Sequence, residues 1–137
     1  MIRLVVLDNE AVQALRDPAH PKHRRMVSHM QVVVNRKRRA QTIGTVVPTA
    51  VRVEAGWDRT SPTWAFPNRL RIADSPLDTP SASTAAGIRA RTGVSVADAH
   101  VGAVMRPAAG AQVTVITSDP GDMRKLAGDA DVTIVTI

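Results

Sequence analysis

Short β-branched runs alternate with helical stretches along the chain, and this predicts an α/β domain built on a mostly parallel five-stranded sheet with helices on both faces. Two further observations support that class. The helices carry clear start and stop signals, and 137 residues with 44% hydrophobic content suffice for one core but not for two ordinary domains. Residues 1–137 are therefore expected to form a single domain.

Arg3 to Leu7 reads as a first, buried strand, and Asn9 to Leu15 as a short helix with Val12 and Leu15 on one side. After the Asp17-Pro18 break, Lys22 to Ala40 reads as an amphipathic helix, because Met26, Met30 and Val33 recur at i, i+4 and i+7. Thr42 to Val47 is the second strand. Pro48-Thr49 opens a helix in which Val53 and Trp57 are expected to share the apolar face, with Glu54 beside it. Arg69 to Ala73 is a weaker third strand. Asp78-Thr79-Pro80 starts a helix that should end near Gly93, and Ser95 caps the next, with Ala97, Val101 and Val104 buried and Asp98 bordering them. Gln112 to Thr117 is the fourth strand, Pro120 to Ala127 a short helix, and Val132 to Ile137 the last strand. Right-handed crossovers put every strand-to-helix turn on one edge of such a sheet, where ligands of open α/β sheets bind.

Composition narrows the function. There is no cysteine, which removes disulfides and thiolate zinc sites and fits a reducing cytoplasm. The opening MIRLVVLD is too short an apolar run for a signal-peptide core or a membrane span. No Gly-rich phosphate loop of recognisable spacing is present, so nucleoside-triphosphate hydrolysis has little support. The net charge of +6 is unevenly spread: Pro18 to Val53 holds eight cations and no Asp or Glu, leaving −2 elsewhere. A basic lobe beside an acidic site suits a polyanion held by one part and processed by another, although such runs are also common on solvated helix faces.

The acidic site is expected at Asp8, Glu54, Asp98 and Asp119. Asp8 and Asp119 follow strands, while Glu54 and Asp98 border apolar helix stripes. Capping explains Asp8, Asp98 and Asp119 individually, and an exposed helical Glu paired with Arg52 or Arg59 explains Glu54. Brought together, however, carboxylates about 4 Å apart repel by roughly 4 kcal/mol at an effective dielectric near 20 and need protons, basic partners or a divalent ion. All-oxygen donors suit Mg2+ or Mn2+, which would position a phosphate and acidify a water for in-line attack.

The segments LVVLDNEAV, VPTAVRVEAG, SVADAHVGAVM and VTVITSDPGDM, in this order, resemble the successive acidic motifs of the PIN-domain ribonucleases, and most nearly the VapC-type toxins of bacterial toxin–antitoxin pairs. The resemblance spans essentially the whole chain and implies a PIN-like three-layer α/β/α sandwich. It implies divalent-metal-dependent endoribonuclease activity, a homodimer, and inhibition by a small antitoxin protein. Carried over by position, it makes Asp8, Glu54, Asp98 and Asp119 the catalytic metal-binding acids, with Asp122 accessory and Thr117 a hydroxyl neighbour on the substrate side. Arg24, Arg25, Arg36 and Arg38 of the basic segment are the expected contacts to the RNA backbone. The chain departs from the family in having Asn9 where Thr or Ser usually follows the first acid. That departure keeps open a non-catalytic RNA-binding or regulatory protein of the same fold.

Three features have plainer readings. Trp57, Trp64 and Phe66 are expected to anchor a Pro-containing loop to the core rather than to stack on bases. His20, His23 and His29 do not share one helical face, and they read as solvated or phosphate-contacting. Gly102 is expected to allow close helix packing.

Overall fold

The computed structural model describes residues 2–39, 42–107 and 111–137. Its strands are β1 (Ile2–Leu7), β2 (Ile43–Pro48), β3 (Ala73–Ser75), β4 (Ala111–Thr117) and β5 (Val132–Thr136). They form one sheet in the order β3-β2-β1-β4-β5, and every pairing is parallel. The central strand is thus the first in sequence. The chain winds outward through β2 and β3, then returns to the other side of β1 for β4 and β5, so strand order reverses between β1 and β4. The fold is the expected α/β class, with a fully parallel sheet.

The helices follow from local chemistry. Helix α1 (Asn9–Arg16) is capped by Asp8 and buries Val12 and Leu15. Helix α2 (His23–Arg38) buries the predicted Met26, Met30 and Val33. Helix α3 (Thr49–Ala55) begins after Pro48 and stops at Gly56, whose φ of 72° lies in the left-handed region that glycine adopts without strain. Helix α5 (Thr79–Thr92) starts at the Asp78 cap with Pro80 in its first turn and ends at Gly93. Helices α6 (Val96–Val104) and α7 (Pro120–Ala127) begin at Ser95 and Asp119, as their capping patterns predict.

Helix α6 lies in the middle of the molecule, packed against α3, α5, α7 and strands β1 and β2. It manages this because its residues are small: Ala97, Ala99, Gly102 and Ala103 let neighbouring backbones approach. A methyl group on Gly102 would sit 2.9 Å from Ile88 Cδ1, closer than packed carbons tolerate, in agreement with the packing role expected for this glycine. His100, also on α6, is fully buried. Its Nδ1 accepts the Ala50 amide at 3.3 Å, and burial lowers its pKa, with the Pro76 carbonyl and Asp78 opposing. It therefore fastens α3 to α6.

Two expectations require correction. Arg69 to Ala73 is not a strand: a 3-10 turn at Pro62–Trp64 leads into helix α4 (Ala65–Arg69), Arg71 turns the chain at φ 54°, and β3 starts only at Ala73. Tertiary packing drives this change. Trp57 and Trp64 stack with centroids 5.4 Å apart at 9° and are both buried, which draws the segment into helical turns against α1. Arg16 lies over the Trp64 ring and Arg59 over Trp57. The aromatics thus anchor the loop, as the plainer reading held. Val53 does not share a buried face with Trp57: it is 81% exposed while Trp57 is buried, and helical spacing does not relate the two because α3 ends at Gly56.

Replacing Trp64 by Ala should destabilise the fold by about 3–5 kcal/mol, since both its burial and its stacking partner are lost. Urea unfolding followed by far-UV circular dichroism measures this.

Candidate functional site

The reversal of strand order between β1 and β4 leaves a crevice beyond their carboxyl ends, and the two following residues pairs place acids there. Asp8 continues directly from β1. Its Oδ1 accepts the Ala11 amide at 2.8 Å, which caps α1 and holds the side chain only 5% exposed. Asp119 follows β4 after Ser118. Its Oδ1 accepts the Asp122 amide at 3.1 Å, and its own amide donates to Thr117 Oγ1 at 2.9 Å. Asp98 is set on the first turn of α6 by its amide's bond to Ser95 Oγ at 3.1 Å. Glu54 reaches the crevice from the last turn of α3.

These side chains line one cleft of about 220 Å3, together with Asn9, Glu10, Ser118, Asp122 and Met123. The structure thus brings Asp8, Glu54, Asp98, Asp119 and Asp122 together. Among the described residues no Lys, Arg or His lines the cleft. Arg52 and Arg59, the two neighbours in sequence considered as partners of Glu54, both bind Asp74 instead, at 2.9 and 2.7 Å. Glu54 keeps no salt-bridge partner among the described residues.

The electrostatic cost appears in the titration of two acids. Burial raises the Asp8 carboxyl from its ordinary 3.8 to about 6, with Asp98 and Glu10 adding negative charge nearby. The Thr117 hydroxyl and the Ala11 amide work the other way. Asp98 is likewise raised, first by burial and then by Asp122 and Asp119, against the Ser95 hydrogen bond. These mutual effects identify the acids as electrostatic neighbours.

A hard divalent cation fits this donor set chemically. Every polar group lining the cleft presents oxygen, and Asn9 Oδ1 is buried there without a hydrogen-bond partner. Among the described residues, however, no group of three or more such side chains is gathered tightly enough to hold an ion.

Other expected site residues lie elsewhere. Thr117 is fully buried behind Asp8, so its hydroxyl orients Asp8 and the Asp119 amide and does not form part of the cleft surface. Arg24, Arg25 and Arg36 are exposed on α2 and do not line the cleft. The Arg38 side chain lies outside the described residues. Sequence reasoning missed Glu10, which His20 Nε2 holds at 2.7 Å. His20 Nδ1 accepts the Lys22 amide at 3.0 Å, so the neutral ring carries its proton on Nε2 and donates it to Glu10. His20 is therefore not a free phosphate contact. His23 Nδ1 similarly meets the Ala14 carbonyl at 2.8 Å. The signal for Glu10 was its place in the first turn of the helix that Asp8 caps.

No family model matches the sequence, and no curated protein does. Among solved structures, a chain of the VapBC2 complex from Rickettsia felis, bound to a DNA fragment from its promoter, has a similar fold. The TM-score is 0.60 at 8% sequence identity, over 98% of each chain.

Asp8 titrates higher in the folded protein than in the unfolded chain, so the fold takes up a proton between about pH 4 and pH 6 and loses stability as pH rises through that window. With chelator present, Asp8→Asn should stabilise the protein at pH 7, by up to about 3 kcal/mol, and make no difference below about pH 4. Urea midpoints across that range check both the sign and the window.

Proposed function

We propose that this protein is a divalent-metal-dependent endoribonuclease of the toxin type, hydrolysing RNA phosphodiester bonds in the acidic cleft. The observation that carries the proposal is the meeting of Asp8, Glu10, Glu54, Asp98, Asp119 and Asp122 in one cleft that no cation lines. Structural needs alone account for the caps at Asp8 and Asp119. They do not account for Glu54 and Asp98 being turned toward the same space.

Asp8, Asp98 and Asp119 would hold Mg2+ or Mn2+, with Glu54 and Asp122 completing the acidic wall. When bound, the ion supplies charge neutralisation, an anchor for the scissile phosphate and acidification of the attacking water. The protein's own contribution is positioning. The caps on α1 and α7 fix Asp8 and Asp119, Thr117 orients Asp8 from behind, and Ser95 fixes the first turn of α6 that carries Asp98. The raised proton affinity of Asp8 and Asp98 in the metal-free state means that ion binding displaces protons.

The fold shared with a chain of the VapBC2 complex supports a small antitoxin protein as partner. We also propose a homodimer. Val53, Leu77 and Val96 are exposed side by side in adjoining hollows across α3, α5 and α6, with Arg89 toward one end and Glu54 toward the other. A two-fold axis through Leu77 and Val96 would set the basic end of one copy against the acidic end of the other. A non-catalytic RNA-binding protein of this fold is the second reading, favoured by Asn9 and by the spread of the acids. It would show steeply salt-dependent binding without metal-stimulated turnover.

Asp98→Asn should cut Mg2+- or Mn2+-dependent cleavage of single-stranded RNA by about 100-fold or more, while circular dichroism and melting temperature persist. Chelation should abolish wild-type cleavage and added Mg2+ should restore it. Full activity in the variant would remove the acid-cluster mechanism. Val53→Glu combined with Val96→Glu should shift the mass measured by light scattering from dimer to monomer. An unchanged mass would rule out this dimer face.

A further inference from the structure

A second hollow, of about 400 Å3, lies between α2 and the sheet and is separate from the acidic cleft. Its floor is the face of β1, β4 and β5 on which Arg3 is the register partner of Gln112, Thr114 of Thr133, and Ile116 of Val135. His29, Val32, Val33 and Arg36 of α2 form the wall. On this face Thr133 and Gln112 are exposed.

The chemistry of this hollow is opposite to that of the cleft. Arg3, His29 and Arg36 line it against a single acid, Asp131. Arg3 and Arg36 are exposed and make no salt bridge among the described residues. Between them lie hydroxyls, an amide and partly exposed valines, so cations border a floor that is apolar and hydrogen-bonding by turns. A single-stranded nucleic acid matches this pattern, with phosphates against the cations and base faces against the valines. The floor rises about 13 Å from Gln112 to Ile116, and Ile116 lies two residues, about 7 Å, before Ser118 of the acidic cleft.

We propose that this groove is a second RNA-binding channel, which holds part of a single strand beyond the segment in the acidic cleft, with Arg3 and Arg36 as its phosphate contacts. The proposal rests on the ribonuclease reading for its ligand and adds a site that the basic run of the sequence did not locate: Arg3 lies outside that run, and of its arginines Arg36, not Arg24 or Arg25, lines the channel. Among the described residues no Trp, Tyr or Phe lines it, so its affinity comes mainly from charge and is strongly salt-dependent.

The test is fluorescence anisotropy with labelled single-stranded RNAs of about four and about twelve nucleotides, in chelator, where the cleft acids offer no attraction and no cleavage occurs. The longer strand should bind the wild-type chain more tightly than the shorter. Arg3→Glu with Arg36→Glu should weaken binding of the longer strand at least about tenfold and flatten its log–log salt slope by about 1.4, for two lost contacts. Arg69→Glu with Arg91→Glu makes the same change in net charge at exposed sites away from the groove and should leave affinity within about twofold. Asp131→Asn should tighten binding, a gain that misfolding cannot produce. Equal losses in both double variants, an unchanged Arg3/Arg36 variant, or no preference for the longer strand would overturn the channel. With Mg2+ present, wild-type protein should cleave both RNAs. Wild-type protein that binds the long strand through this groove but cleaves neither RNA would overturn the nuclease reading and leave the channel standing.

Discussion

A desolvated carboxylate at the carboxyl end of the central strand is the constraint around which the acidic end of this molecule is organised. Asp8 is nearly inaccessible, and its charge is opposed both by burial and by Asp98 and Glu10. The fold holds it there through short-range bonds that favour the ionised form, from the Ala11 amide and the Thr117 hydroxyl. Thr117 also receives the Asp119 amide, so a single hydroxyl ties the ends of β1 and β4 together where strand order reverses. Capping and site formation are thus one set of contacts rather than competing explanations.

Charge is partitioned across the molecule in a way that the total of +6 conceals. Acids occupy the carboxyl edge of the sheet, and the nearby arginines that could have neutralised them are directed elsewhere. Arg52 and Arg59 are engaged by Asp74, and Arg59 also lies over Trp57. Arg106 sits at the other ends of α6 and α7, away from the cleft, where it bonds the carbonyls of Gly102, Leu126 and Ala127. Keeping guanidinium groups bound to structural partners preserves the negative potential of the cleft, and a cation from solution then meets no competitor inside it.

Much of this architecture could be read from residue types. Proline, glycine and capping residues mark α5, α6 and α7 almost to the residue, and β-branched runs mark β1, β2, β4 and β5, because these signals act through the local backbone. The placing of Asp8 and Asp119 on one cleft followed from topology: parallel strands joined by helices must deliver their carboxyl ends to one edge. What was not legible depended on contacts between distant segments. The Trp57–Trp64 stack turned a weak strand pattern into a helix, α3 ended at Gly56 before helical spacing could relate Trp57 to Val53, and Glu10 in the cleft was met by His20 from beyond the α1 break. The hollow between α2 and the sheet was equally hidden, since a strand's composition does not say which neighbours will line each of its faces.

The stacked indoles bear on how this protein can be observed. Trp57 and Trp64 are its only tryptophans, tyrosine is absent, and Phe66 lies beside them, so every near-ultraviolet chromophore is concentrated at one corner. Emission or near-ultraviolet dichroism will report the melting of that corner and remain nearly blind to events at the carboxyl edge of the sheet. Following ion uptake or loop ordering there optically would need an engineered probe on the α7 side.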